Sequence, residues 1–464
     1  MSDSAAHAGA PAPQAAPAKR KLLTRRVVEW SLWDWGSAAF NAVATTFVFS
    51  SYLTTDGNFT DEATASSHLS LGLTLAGLVI AALAPITGQR ADRRGKGGVW
   101  LAWFTGMVVL CLLAMFFIYP QSPLGATNAL WLGIGLLGLG NIFFEFASVS
   151  YNAMLNHIAH KEDMGRVSGI GWGAGYLGGI VLLLITYVGF ISPEVGWFGV
   201  TGENSMNVRV TMLTAALWFA VFSLPVILHP PKPSRIDRAT ATSKESLLDS
   251  YRMLWATVRS LRREAPHTLF FLIASAVFRD GMAGVFTYGA IIGKTVFDFS
   301  AGDILIFAIA ANVVAGVATF AFGFLDDLLG PKWVIVIALV SMIASGTGIF
   351  ILHERGPIVF WILGLILSVF VGPVQSASRS LLARMIPNGR EGEIFGLYAT
   401  TGRAVSFMAP AMYLLSLTLG ALVMGAGVEY THWGILGIVT VLAAGLALTL
   451  PVKVEAAHLN HMAE

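Results

Sequence analysis

Six ionisable side chains sit inside long apolar stretches of this chain: Asp34, Glu145, Arg279, Asp280, Arg379 and Arg403. Taking a charge out of water is costly, so such a residue inside a membrane span faces a cavity or a partner rather than lipid. Two kinds of chemistry follow. A guanidinium is a planar fork of donors that keeps its charge when buried, which suits Arg279, Arg379 and Arg403 to holding an anionic group such as a substrate carboxylate. A carboxyl group that meets water in one conformation, and apolar packing or an arginine in another, differs in proton affinity between the two, which is what coupling to a proton gradient requires. Glu145, with Phe143, Phe144 and Phe146 beside it, is the first candidate for that proton, and Asp34 and Asp280 are the alternatives. The competing reading is that these charges form structural ion pairs locking helices together.

Their register favours a cavity. Asp34, Ser37, Asn41 and Thr45 are spaced to share one helix face; Asn141, Glu145, Ser148 and Asn152 share another, and Ser368, Gln375 and Arg379 a third. The candidates for a substrate or proton pathway are therefore Asp34, Asn41, Asn141, Glu145, Arg279, Asp280, Gln375, Arg379 and Arg403. Gly171, Gly175 and Gly179 make two Gly-x-x-x-Gly steps, a surface for close helix packing to which no ligand is assigned. The chain has no Gly-x-x-x-x-Gly-Lys-Ser/Thr loop to cradle phosphate, which argues against ATP-driven transport. His157 and His160 lack carboxylate or thiolate company, so neither a metal nor a cofactor is expected.

Composition says what must position these groups. The 464 residues are 55% hydrophobic and 12% charged, with a mean hydropathy of +0.69; a soluble chain carries about twice that charged fraction. Long apolar runs rather than short alternating ones predict an all-α membrane protein. The single cysteine, Cys111, rules out a disulfide framework. Twelve runs are long enough to span, at 30–53, 69–88, 99–119, 129–153, 167–191, 208–228, 268–293, 304–325, 333–352, 358–382, 394–419 and 433–450. Alternate connections carry Lys and Arg while those at 54–67, 120–128, 192–207 and 420–432 carry none, which predicts both termini on the cytoplasmic side. The net charge of +2 lies in short loops and indicates no nucleic-acid partner.

The expected organisation is a disordered basic tail over 1–28, a six-helix bundle over 29–229, a cytoplasmic linker over 230–266, a second bundle over 267–451 and a tail over 452–464. Within the linker, Leu247, Leu248, Tyr251, Leu254, Trp255, Val258 and Leu261 fall at helical spacing among Arg252, Arg259, Arg262 and Arg263, which predicts a basic amphipathic helix on the inner leaflet. The halves repeat one another: Gly165, Gly169 and Gly175 align at constant offset with Gly392, Gly396 and Gly402.

Between the second and third runs lies Gly88-Gln-Arg-Ala-Asp92-Arg93-Arg94-Gly95-Lys96. This Gly-x-x-x-Asp-Arg-x-Gly-Lys pattern resembles the signature of major facilitator superfamily transporters, and it recurs without the arginine as Gly323-x-x-x-Asp327-x-x-Gly330-x-Lys332. Gly88 would allow close helix approach and Asp92 would face the positive start of another helix, with Arg93, Gly95 and Lys96 completing a conformational latch against 163–166 or 389–393. Three further segments narrow the resemblance: Glu29-Trp-Ser-Leu-Trp33-Asp34-Trp35, the glycine-rich run from Arg166 through Trp172 and Tyr176, and Gln375-x-x-Ser378-Arg379 with Pro387-x-Gly-Arg390-Glu-x-Glu393-x-Phe395-Gly. They are similar to the branch containing fungal vacuolar amino-acid effluxers and their bacterial relatives, although Trp33 stands where Tyr is usual.

The resemblance implies a twelve-helix, two-bundle transporter with alternating access, in which spans 1, 4, 7 and 10 line the cavity. It implies a monomer in the cell membrane, or in the vacuolar membrane of a eukaryote, exporting an amino acid or similar small molecule with protons as coupling ion and lipid as its surroundings. Sugar or multidrug transport, or a receptor or scaffold that has lost transport, are the alternatives.

Overall fold

A computed structural model describes residues 22–231, 246–387, 389–425 and 430–453. Most of the two expected tails and the first part of the linker lie outside the described residues.

Among the described residues, eleven helices are long and apolar enough to cross a bilayer. A twelfth, span 1, is assembled from the α-helix Arg25–Ala38, the π-helix Ala39–Phe47 and the short helix Phe49–Thr54. Spans 2 to 6 are Glu62–Arg93, Gly97–Met115, Ala126–Ala153, Met164–Thr186 and Met206–Leu228. Spans 7 to 10 are Pro266–Phe297, Ala301–Leu329, Pro331–Ile351 and Pro357–Met385. Span 11 is broken into Glu391–Val405 and Met408–Met424, and span 12 is Gly434–Thr449. Proline opens spans 7, 9 and 10, where a missing N–H removes no helical bond. The first six pack among themselves, as do the last six, and the bundles meet chiefly through span 2 on span 11 and span 5 on span 8. Closely packed aromatic rings fill the first bundle around Trp33, Phe144, Tyr151 and Phe219. Phe297, Phe299 and Phe360 do the same in the second.

Three departures from the sequence reading matter for the site. Span 2 does not stop at 88 but continues to Arg93, so Asp92 stands on its last helical turn and not in a loop. At 1.5 Å per residue this helix is about 48 Å long, well beyond the apolar run that hydropathy detects. Its limits are local: the Asp61 carboxylate accepts from Thr64 N–H at 2.9 Å at the start, and Gly95, at φ +58°, turns the chain at the end.

Span 1 is not a uniform α-helix either. The π-segment adds a residue per turn, so the face predicted from 3.6-residue spacing does not persist. Asp34 turns inward while Asn41 is exposed. The hydroxyls of Thr45 and Thr46 both donate to the Asn41 carbonyl, at 2.6 and 2.7 Å, compensating for the altered ladder.

The linker helix is Leu247–Glu264, opened by a reciprocal cap between Ser246 and Asp249; the Ser246 hydroxyl holds the Asp249 carboxyl below its usual range. Its apolar residues divide between two faces: Leu261 is buried with Ser250 and Thr257, whereas Leu248, Tyr251 and Trp255 are exposed. The predicted stripe is therefore divided, part packed on the protein and part left exposed.

Candidate functional site

Packing draws most of the intramembrane charges into two clusters between the bundles. In the first, Arg379 of span 10 meets Asp34 of span 1 at 3.2 Å. The same carboxylate oxygen accepts from the Tyr151 hydroxyl of span 4 at 2.8 Å. Arg379 also donates to the Ser168 hydroxyl at 3.0 Å, the Ser168 carbonyl at 2.7 Å and the Asn152 side chain at 3.3 Å. Trp30, Tyr151 and Trp172 lie around its guanidinium, with ring centroids at 4.8, 5.7 and 5.6 Å. Arg379 is 3% exposed, and four of its five N–H donors meet protein acceptors, so the group is sealed. Gly171 makes this possible: a Cβ there would lie 2.7 Å from Trp30, and 2.8 Å from both Arg379 and Asp34. The glycine read as packing alone thus holds open the space of the ion pair.

The second cluster is more accessible. Glu145 of span 4 pairs with Arg403 of span 11 at 2.7 Å, with side-chain exposures of 28% and 32%. Arg279 of span 7 donates to the Tyr398 carbonyl at 2.6 Å and stacks on the Tyr398 ring at 3.4 Å, while the Tyr398 hydroxyl bonds Ser378 at 2.8 Å. Gly402, next to Arg403 in sequence, would place a Cβ 2.7 Å from Arg279. Two guanidiniums and one carboxylate therefore share this region, an excess of one positive charge.

Asp280 joins neither cluster. It accepts from the Ala409 N–H at 2.6 Å, capping the second half of span 11 just beyond the break at Ser406 and Phe407. The side-chain amides of Asn41, Asn141 and Gln375 hold no protein hydrogen bond among the described residues.

The repeated hairpins make matching contacts. Both Asp92 oxygens accept backbone N–H groups at the start of span 11, Gly392 and Glu393, each at 2.9 Å. Both Asp327 oxygens accept the corresponding N–H groups at the start of span 5, Gly165 at 2.7 Å and Arg166 at 3.1 Å. A carboxylate at a helix N-terminus satisfies donors that have no helical partner and favours the positive end of the dipole. Gly88 lies so close to Gly392 that an added Cβ would collide with its carbonyl oxygen, and Gly323 packs on Gly165 and Gly169. Arg93 reaches Met253 of the linker helix at 2.6 Å; Lys96 is exposed.

The sequence reading missed several partners. Asp326, beside Asp327, is 1% exposed and pairs with Arg384 at 2.9 Å; Arg384 also bonds Asp327 at 2.8 Å. Arg166 closes the group by pairing with Asp327 and Asp163. The adjacent Asp326 and Asp327 at the end of an apolar run were the available signal. Nothing in the local sequence marks Tyr151 or Ser168, which become polar partners only when spans 1, 4, 5 and 10 converge.

Similarity to known proteins agrees with this architecture. The family model described as "Vacuole effluxer Atg22 like" matches residues 57–417. The uncharacterized MFS-type transporter YxiO of Bacillus subtilis is 25% identical over 402 residues, 86% of this chain and 90% of that protein. Autophagy-related protein 22-1 of Neosartorya fischeri is 23% identical over 269 residues, 53% of this chain and 42% of that protein. This chain therefore spans less than half of the fungal relative's length. Among solved structures, the proton:xylose symporter XylE superposes with a TM-score of 0.69 at 14% identity, covering 92% of this chain and 94% of the other. The human organic anion transporter MFSD10 gives 0.67 at 14% identity, covering 92% and 99%.

Proposed function

The chain belongs to the family of Atg22-like vacuole effluxers within the major facilitator superfamily, and from that premise we propose that it exports an amino acid or similar small metabolite by proton-coupled alternating access. It is a multi-pass membrane transporter and not an enzyme; the solute, the coupling ion and the direction are what the proposal adds. One observation carries it: Asp34–Arg379 and Glu145–Arg403 each join a helix of the first bundle to a helix of the second. Neither pair survives a separation of the bundles at its level, so the protonation and occupancy of these groups are linked to which mouth is open.

The Asp92 and Asp327 hydrogen bonds to the starts of spans 11 and 5 support a basic end held shut. Asn41, Thr46 and Thr287 are exposed in spans 1 and 7, positions where polar groups belong on a wet cleft rather than against lipid. The two Asp contacts act as latches, released when the basic end opens to the cytoplasm, the side assigned to both termini. The membrane is the cell membrane, or the vacuolar membrane in a eukaryote.

The accessible cluster takes the substrate. Arg403 and Arg279 supply the excess positive charge for a carboxylate, and Glu145, freed from Arg403 by that carboxylate, is left to bind an ammonium group or a proton. Arg379, buried and held by Ser168, Asn152 and Asp34, is a structural hub of the closed state. The test is reconstitution into proteoliposomes followed by a counterflow screen of amino acids, sugars and cationic dyes. Amino-acid counterflow is the expected result, and exchange of only sugars or dyes overturns the substrate assignment.

A further inference from the structure

The linker helix has two faces with different jobs. At about 100° per residue, Leu248, Tyr251, Arg252, Trp255, Arg259, Arg262 and Arg263 fall within roughly a third of its circumference, with Asp249 and Glu264 outside that sector. All seven are exposed, and among the described residues no carboxylate pairs with Arg259, Arg262 or Arg263. Aromatic and aliphatic side chains interleaved with arginines form a surface suited to a lipid headgroup layer. Its position fits, because only Ala265 separates the helix from Pro266, the first residue of span 7.

The opposite face grips the Asp92 contact from both bundles. On the span 2 side, Arg90 donates to the Ser250 hydroxyl at 3.2 Å and to the Ser246 carbonyl at 3.3 Å and Arg93 meets Met253; at the edge of the exposed sector the Tyr251 hydroxyl donates to the Ala82 carbonyl at 2.9 Å. On the span 11 side, the Thr257 hydroxyl stands beside the Glu393 carboxylate, which the Gln89 amide of span 2 also holds at 2.7 Å. Glu393 is also one of the two residues whose N–H binds Asp92. Parting span 2 from span 11 therefore requires the helix to release one of them.

We propose that the exposed face of the linker helix binds the anionic lipid headgroups of the adjoining leaflet, and that this binding holds the helix across spans 2 and 11, so that anionic lipid favours the closed basic end. The two interactions use opposite faces and do not compete. Each basic residue close to an anionic surface is worth roughly fivefold in binding, so four arginines suffice to bias a transporter whose two states lie close in energy.

The experiment uses the full-length protein with Cys111→Ser and spin labels at Val99→Cys and Leu329→Cys, both exposed and on opposite bundles near the basic end. Distance distributions are compared in nanodiscs of neutral phosphatidylcholine and in nanodiscs that also contain phosphatidylglycerol. Anionic lipid is expected to lower the long-distance population at least about fivefold. The quadruple variant Arg252→Gln, Arg259→Gln, Arg262→Gln, Arg263→Gln should show no such dependence, and Trp255→Ala a weakened one. The quadruple change is confined to exposed side chains, and the persistence of the short-distance peak reports its folding. A wild-type distribution indifferent to lipid charge, or shifted towards opening, overturns the proposal. So does a quadruple variant that responds like wild type, which would place the lipid effect on other basic residues.

Discussion

Replacing Asp92 by asparagine removes one charge at the contact that joins span 2 to span 11. The native carboxylate receives two backbone N–H bonds of 2.9 Å, from Gly392 and Glu393, at a helix start. Asparagine keeps one acceptor and turns an amide N–H₂ towards the other donor, so one bond is lost and the survivor is no longer charge-assisted. Hydrogen bonds to charged groups are worth about 1.5–3 kcal/mol each, and the favourable helix-end interaction goes with the charge. A loss of about 2–3 kcal/mol changes the closed-to-open ratio roughly 30- to 150-fold. A closed state favoured by about 3:1 would then fall to between roughly 1:10 and 1:50. The spin-label pair at Val99→Cys and Leu329→Cys reads this directly: the variant should show a long-distance population well above the parent's, with unchanged expression. A distribution identical to the parent's would refute the latch, and the Asp92 bonds would then be helix capping without conformational consequence.

Four other perturbations have defined outcomes. Gly88→Ala drives a methyl into the Gly392 carbonyl and should open the same end at least as far as Asp92→Asn; an unaltered distance distribution would show that the backbones can part without release. Asp34→Asn strips the counter-charge from a sealed guanidinium, which costs about 3–5 kcal/mol and should appear as a lowered melting temperature in detergent, partly restored in Asp34→Asn/Arg379→Gln; a double variant no more stable than the single would contradict the pairing. Lysine at Arg279 or Arg403 loses the planar fork and should weaken the apparent affinity for a carboxylate-bearing solute about tenfold, as measured by counterflow; unchanged affinity at both positions ends the carboxylate assignment. Glu145→Gln should still exchange solute yet ignore a pH gradient, and wild-type pH dependence in that variant would exclude Glu145 as the proton carrier.

The long apolar runs made the twelve-helix plan legible, because a bilayer imposes both their length and their helicity. The repeat of glycines and aspartates made the hairpin partners legible too: Asp92 and Asp327 meet helix starts that occupy corresponding positions in the two halves. Side-chain pairing across the bundles was not legible. Asp34 and Arg379 are far apart in the chain, and sequence spacing places each on a face without saying which faces meet. The π-segment in span 1 shows a sharper limit. A helical wheel assumes 3.6 residues per turn and so groups Asn41 with Asp34, yet the wider turn leaves Asn41 exposed and Asp34 half-buried. Along the linker, periodicity predicts a helix, but it does not tell a face packed on the protein from a face left exposed. Gly171 was read as packing because glycine spacing alone does not reveal the ion pair above it.

The central claim is that solute and proton movements are coupled through charges bridging the two bundles. Its most direct measurement is substrate-driven proton flux in proteoliposomes loaded with a pH-sensitive dye, using the amino acid identified by counterflow. The account predicts proton movement opposite to the solute, dependent on the imposed pH gradient and absent from Glu145→Gln even though that variant still exchanges solute. Solute flux with no proton movement in the wild-type protein would contradict it.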